Sequence, residues 1–127
     1  VPLHPRTKNK MAGYNLTITN PKVRIIDPVG YLDMIQLEAH AQKIITDSGG
    51  VQKEAFFCEV PCITMRDETE WTELVDPLEV NTLVGANKAK ILHAIVHFNP
   101  IFNKVESAFG DGHAAEKIVH TLIKELS

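Results

Sequence analysis

Ser48-Gly49-Gly50, with Glu54 one helical turn further on, is the group of residues in this chain best suited to hold a charged ligand. The two glycines lack a Cβ, so a ligand can come close to the backbone, and Ser48 adds a hydroxyl. Ahead of them, the β-branched run Lys43-Ile44-Ile45-Thr46 reads as a buried strand; behind them, Val51 to Phe57 favours helix. A strand, a glycine turn and a helix in that order leave backbone N–H groups at a positive helix end, which binds anions and phosphates above all. A carboxylate at Glu54 would repel a diphosphate at close range. Turned sideways, it can accept from two adjacent hydroxyls such as those of a ribose. Phosphate at the turn and ribose at the glutamate together describe a nucleotide. An ordinary strand-to-helix turn with a solvated glutamate gives the same short pattern.

The elements that must position these residues follow an alternating order. Val1 to His4 reads as the tail of a strand, so the chain is expected to begin partway through a fold, as a fragment. Pro5 to Lys10 reads as a basic loop entering a short helix that stops near Gly13. Arg6 and Lys8 there are either cleft cations for an anionic partner or a solvated basic turn. Val23-Arg24-Ile25-Ile26 is the next expected strand, followed by a helix from about Tyr31 to Ala41 with Leu32, Ile35 and Ala39 on its sheet-facing side. After the glycine turn come a strand at Cys62 to Met65 and a capping box of Asp67 with Glu70. A strand at Asn81 to Val84 ends at Gly85, and a helix from Lys88 to Phe98 presents Ile91, Leu92 and Ile95. A short helix from Phe102 to Phe109 precedes a last helix capped by Asp111, whose apolar stripe is Ala115, Ile118, Val119, Leu122, Ile123 and Leu126. Short strands alternating with helices predict an α/β fold: one parallel sheet covered on both faces, a Rossmann-like three-layer sandwich.

Composition narrows the function classes. The 127 residues make a single domain, and a formal charge of −3 with interspersed signs gives no nucleic-acid footprint. No apolar run reaches membrane-spanning length and no signal-peptide pattern opens the chain, so Asn15-Leu16-Thr17 is a sequon by form only. Cys58 and Cys62 lack a second pair for zinc and read as packed thiols of a reducing cytoplasm. The pairs His93/His97 and His113/His120 have no acidic ligand pattern beside them, so no metal is expected. Gly110-Asp111-Gly112 lacks the preceding strand that a dinucleotide fingerprint requires.

The run Thr46-Asp47-Ser48-Gly49-Gly50-Val51-Gln52, with Glu54-Ala55, Pro61 and Arg66-Asp67-Glu68-Thr69-Glu70, closely resembles the non-hydrolysing UDP-N-acetylglucosamine 2-epimerases. Asp27-Pro28 with Tyr31-Leu32, then Leu83-Val84-Gly85 and Gly110-Asp111-Gly112 with Ala114, fall in that family's order and spacing. The resemblance covers nearly the whole chain but only half of such an enzyme. It implies the C-terminal half of a GT-B-type two-domain fold shared with nucleotide-sugar glycosyltransferases, lacking the N-terminal domain and the start of its own domain. It implies UDP binding by Val29 (backbone to the uracil), Met34 (in place of a stacking aromatic), Ser48, Gly49, Gly50 and Glu54. Trp71 stands where better-known members carry an arginine, which makes it the candidate sugar-side contact. The implied activity is inversion at C2 of a UDP-sugar in polysaccharide precursor synthesis, without cofactor, in a cytoplasmic enzyme that is a homodimer at full length. The family's proton-handling carboxylates and its His-Arg-x-Glu-Asn segment lie before this chain begins, so no catalytic residue is assigned here. Two other readings stay open: an epimerase of a UDP-linked diacetamido-glucuronate, and a nucleotide-sugar-binding or glycosyltransferase half-domain without epimerase activity.

Overall fold

A computed structural model describes residues 1–102 and 109–126. Its chain divides into two units, Val1–Leu37 and Glu38–Ser127. In the first, α1 (Pro5–Gly13) starts with proline in its first turn, where a missing N–H costs nothing, and the His4 imidazole accepts from the Arg6 N–H as a cap. The stretch expected as a basic loop is therefore helix. Lys8 makes an exposed ion pair with Asp27 at 3.4 Å. The strand expected at Val23–Ile26 reduces to one parallel bridge, Pro2 to Ile26, because backbone pairing stops at Leu3 and Val1. α2 (Tyr31–Ala39) closes this unit and carries its last two residues, Glu38 and Ala39, into the second.

The second unit contains a three-stranded parallel sheet in the order β1 (Ile44–Thr46), β2 (Cys62–Thr64), β3 (Asn81–Leu83). Ile44 pairs with Cys62 and Cys62 with Asn81, so the three strands end level with one another. The pleat sends successive side chains of β2 to opposite faces. Cys62 joins Ile44, Ala55 and Val60 under α3 (Gly49–Phe57), while Ile63 joins Val84 and Ala94 under α5 (Lys88–His97). One helix on each face makes three layers, as the alternation predicted. β2 is buried throughout, whereas β1 lies at the sheet edge and leaves Ile45 41% exposed, so the expectation of a fully buried first strand fails on one face.

A third cluster, Phe56, Leu74 and Val80, takes Trp71, Leu78, Phe102 and Phe109 around it and packs the short helix α4 (Thr72–Val75) against β3. Lys43 donates to the carbonyls of Ile95 at 2.8 Å and Phe98 at 2.6 Å. An ammonium there satisfies carbonyls at the C-terminal end of α5, the negative end of its dipole.

Several expected helix faces are displaced. α2 buries Glu38 and half-buries Met34 and Ile35, leaving Leu32 and Ala39 exposed. α5 buries Ala94, with Ile91 and Phe98 packed beside it, while Leu92 is 53% exposed. In both cases two stripes one residue apart are equally helical in spacing, and the smaller or more polar one faces in. The apolar stripe of α6 (Ala114–Leu126) exists as expected, but all of it is exposed. Asp111 accepts from the His113 N–H and pairs with Lys117, a turn just ahead of α6. The helix expected from Phe102 to Phe109 falls largely on residues outside the described ones. Among the described residues no helix is long and apolar enough to cross a membrane.

Candidate functional site

The site is built where β1 ends. Thr46 turns the chain by accepting the Ser48 N–H on its hydroxyl at 3.1 Å. Ser48 is extended, φ −82° and ψ 128°, and its Oγ accepts from Val51 N at 3.4 Å, so it is the N-cap of α3. Its own N–H is occupied by the Thr46 hydroxyl and is not offered to a ligand. The N–H groups of Gly49 and Gly50, in the first turn of α3, have no acceptor among the described residues. These two donors and the helix dipole converge on the exposed side of the turn.

The two glycines differ. A Cβ on Gly50 would meet only Ser48 Oγ at 3.8 Å, which marks the open side. A Cβ on Gly49 would run into Glu70 Oε1 and approach the Trp71 indole nitrogen at 3.7 Å. Gly49 is therefore a close-approach glycine, roofed by Glu70 and Trp71.

That roof comes from the loop after β2. Arg66 pairs with Glu70 at 2.9 Å; donation from the Glu70 backbone N–H first, and then this cation, hold the Glu70 carboxyl below its usual range. Trp71 Nε1 donates to the Gly49 carbonyl at 2.9 Å, and Lys53 Nζ lies 4.4 Å from the indole centroid and 4.9 Å from that of Phe109. The indole's one donor is thus spent on the glycine turn. The capping box of Asp67 and Glu70 does not form: α4 begins only at Thr72, and its N-cap residue, Trp71, makes no side-chain cap. Asp67 lies instead at Gly85, where φ is +58° and a Cβ would stand 2.5 Å from Asp67 Oδ1. Glycine is required there both by the left-handed backbone and by the carboxylate.

Beneath the turn runs a polar network that sequence reasoning missed. Gln52 is fully buried; its Nε2 donates to Ser48 O at 3.3 Å, and its Oε1 accepts from Thr69 Oγ1 at 2.6 Å and Asn81 Nδ2 at 3.0 Å. Asn81 Oδ1 accepts from Thr64 Oγ1 at 2.8 Å. One amide therefore ties the helix cap, the Thr69 loop and two strands together. The signal was present: position 52 shares the helical stripe of Ala55 and Phe56, so a polar side chain there had to be buried and bonded.

Glu54 is half-buried on α3. Near it, buried Glu38 has its pKa raised to about 7, first by burial and then by the Glu54 carboxylate. Burial pushes Cys62 up to about 11 and also raises Cys58; both are free thiols. Among the described residues no three His, Cys, Asp or Glu side chains are grouped as a metal site. Of the candidates for UDP, Ser48, Gly49, Gly50 and Glu54 belong to the second unit, and the structure brings them together on the first turns of α3. Val29, 37% exposed, and Met34, half-buried, belong to the first unit.

Residues 1–123 match the family model for UDP-N-acetylglucosamine 2-epimerase. A UDP-N-acetylglucosamine 2-epimerase homolog of Methanococcus maripaludis is 51% identical over 95% of this chain and 34% of its own length. The UDP-2,3-diacetamido-2,3-dideoxy-D-glucuronate 2-epimerase of Pseudomonas aeruginosa is 44% identical over 98% of the chain and 34% of its own. The crystal structure of Methanocaldococcus jannaschii UDP-GlcNAc 2-epimerase, in complex with UDP-GlcNAc and UDP, superposes with a TM-score of 0.84 at 45% identity, over 97% of this chain and 34% of that one. This chain thus spans about a third of the length of these relatives. With motif order, sheet topology and sequence identity all in agreement, the chain belongs to the UDP-N-acetylglucosamine 2-epimerase family.

Proposed function

We propose that this chain is the UDP-binding part of a non-hydrolysing UDP-N-acetylglucosamine 2-epimerase that interconverts the gluco and manno epimers within a longer polypeptide. The observation that carries this reading is the first turn of α3: a Ser48 cap, N–H groups at Gly49 and Gly50 that have no acceptor among the described residues, and Glu54 one turn further. In the reaction, the proton on C2 of the sugar is removed and the C1–O bond to UDP breaks. UDP then re-adds to the unsaturated sugar after protonation of C2 from the opposite face. Negative charge develops on the departing diphosphate, and donors already fixed at Gly49 and Gly50 stabilise it without reorganisation. Glu54 accepts from the ribose hydroxyls, so UDP stays in place between the two halves of the reaction.

Titration calorimetry with UDP, uridine and 2′,3′-dideoxy-UDP tests the binding. UDP binds more tightly than uridine, and Glu54→Ala weakens UDP by about 1–3 kcal/mol with little effect on the dideoxy ligand. Equal binding of UDP and uridine, or an equal loss for both diphosphates, contradicts the assignment.

Epimerisation also needs an acid and a base on opposite faces of C2. On this reading those groups lie elsewhere in the longer protein, and the 127-residue chain alone is inactive. Deuterium entry at C2 of UDP-N-acetylglucosamine, followed by NMR in deuterated water, stays at background for this chain. Exchange abolished by changing Glu54, Asp67 or Glu70 would place a proton-transfer group here instead. The 44% identity to the P. aeruginosa diacetamido-glucuronate epimerase supports a second reading with the same chemistry on a UDP-linked uronate. Mass spectrometry of products from the full-length protein given both UDP-sugars separates the two.

A further inference from the structure

Glu38 is a buried carboxyl group to which the proposed function gives no role. It closes α2, is 2% exposed, and neither carboxylate oxygen has a hydrogen-bond partner among the described residues. An acid in such a place is costly unless it is neutral or shares a proton. The titratable groups that bear on it are Glu54 and Cys58 of α3 and Cys62 of β2. Glu54 stands on the α3 stripe of Val51, Ala55 and Cys58, which packs on the cluster containing Ile44 and Cys62 with Ala41 just beyond the end of α2. Two ionised carboxylates there are acceptor against acceptor, which accounts for the unpartnered oxygens. One proton converts the same approach into a short charge-assisted O–H···O bond.

We propose that Glu38 is the positioning residue for ribose recognition: protonated, it donates to one oxygen of the Glu54 carboxylate and fixes the other oxygen toward the ribose diol. This rests on Glu54 being the ribose acceptor. Burial and the Glu54 charge hold the proton on Glu38 up to about pH 7. Above that, two negative charges face each other, the bond is lost, and the added charge also opposes the diphosphate of UDP. Nucleotide affinity therefore falls as pH rises through neutrality, through a residue that never touches the ligand.

The test is UDP affinity by calorimetry from about pH 5.5 to about pH 8.5, for the wild-type chain, Glu38→Gln, Glu38→Met and Glu54→Ala. The terminal phosphate of UDP itself titrates near this range, but its contribution cancels in ratios between variants. Glu38→Gln keeps a donor and does not ionise. It binds like wild type at the acid end and about three- to tenfold more tightly than wild type at the alkaline end. Glu38→Met keeps the volume without the donor and binds more weakly than Glu38→Gln throughout. A merely structural role for Glu38 gives no such pH-dependent ratio. A flat ratio of Glu38→Gln to wild type, with Glu54→Ala abolishing discrimination against 2′,3′-dideoxy-UDP, overturns the role of Glu38 alone. Unchanged discrimination in Glu54→Ala overturns the ribose reading and the role of Glu38 with it.

Discussion

Trp71 and Glu38 mark the limits of reading single residues from sequence. Trp71 was a candidate for touching the sugar because of the position it fills. Its indole N–H donates to the Gly49 carbonyl, so a contact with a sugar would fall to the ring and not to the N–H. The grouping of Ser48, Gly49, Gly50 and Glu54 on the first turns of α3 was legible because a cap, two glycines and an acid at one-turn spacing each have a local physical reason. Glu38 was not, since the helical spacing pointed to Ala39 and no periodicity reports that a carboxylate is buried. Its burial has a consequence for stability. The folded chain holds the Glu38 proton up to about pH 7 where the unfolded chain releases it near 4.5, so stability is fully present below 4.5 and is lost as pH rises toward 7. The loss is on the order of 3 kcal/mol. Glu38→Gln removes it. Urea midpoints measured from pH 4.5 to above pH 7 will show the variant gaining on wild type across that range and then running parallel. A constant difference would mean that Glu38 does not retain its proton on folding.

At the scale of elements, the strands of the second unit were legible because short β-branched runs bounded by glycine and proline have few other uses. Val23 to Ile26 has the same composition and makes only one bridge, because a strand also needs a partner along its length. The expected capping box failed for a related reason: Asp67 and Glu70 have the right spacing, but Arg66 and the glycine positions draw them into the loop after β2. The buried network around Gln52 holds that loop to α3. Gln52→Leu removes the acceptor of the Thr69 hydroxyl and of the Asn81 amide N–H, together with one donor to the Ser48 carbonyl, and is expected to cost on the order of 3 kcal/mol. Urea denaturation measures this directly. A loss well under 1 kcal/mol would show that water replaces the amide and that the loop is not tied through it.

At the scale of the whole molecule, the parallel sheet places the ends of β1, β2 and β3 along one edge, and the glycine turn, the Arg66–Glu70 loop and Gly85 all lie there. Open α/β sheets bind ligands outside the carboxyl ends of their strands, so the topology alone directs attention to this edge. The α6 stripe is exposed along its length and could not have been distinguished from a buried stripe by its spacing. Nucleotide binding by this chain requires that a diphosphate meet the first turn of α3. The most direct measurement is an amide NMR titration of the isotopically labelled chain with UDP and, separately, with uridine. The Gly49 and Gly50 N–H resonances are predicted to move with UDP, saturating at the concentrations that saturate the calorimetric binding curve, and to stay in place with uridine. UDP that binds while both glycine resonances remain unmoved would contradict the account.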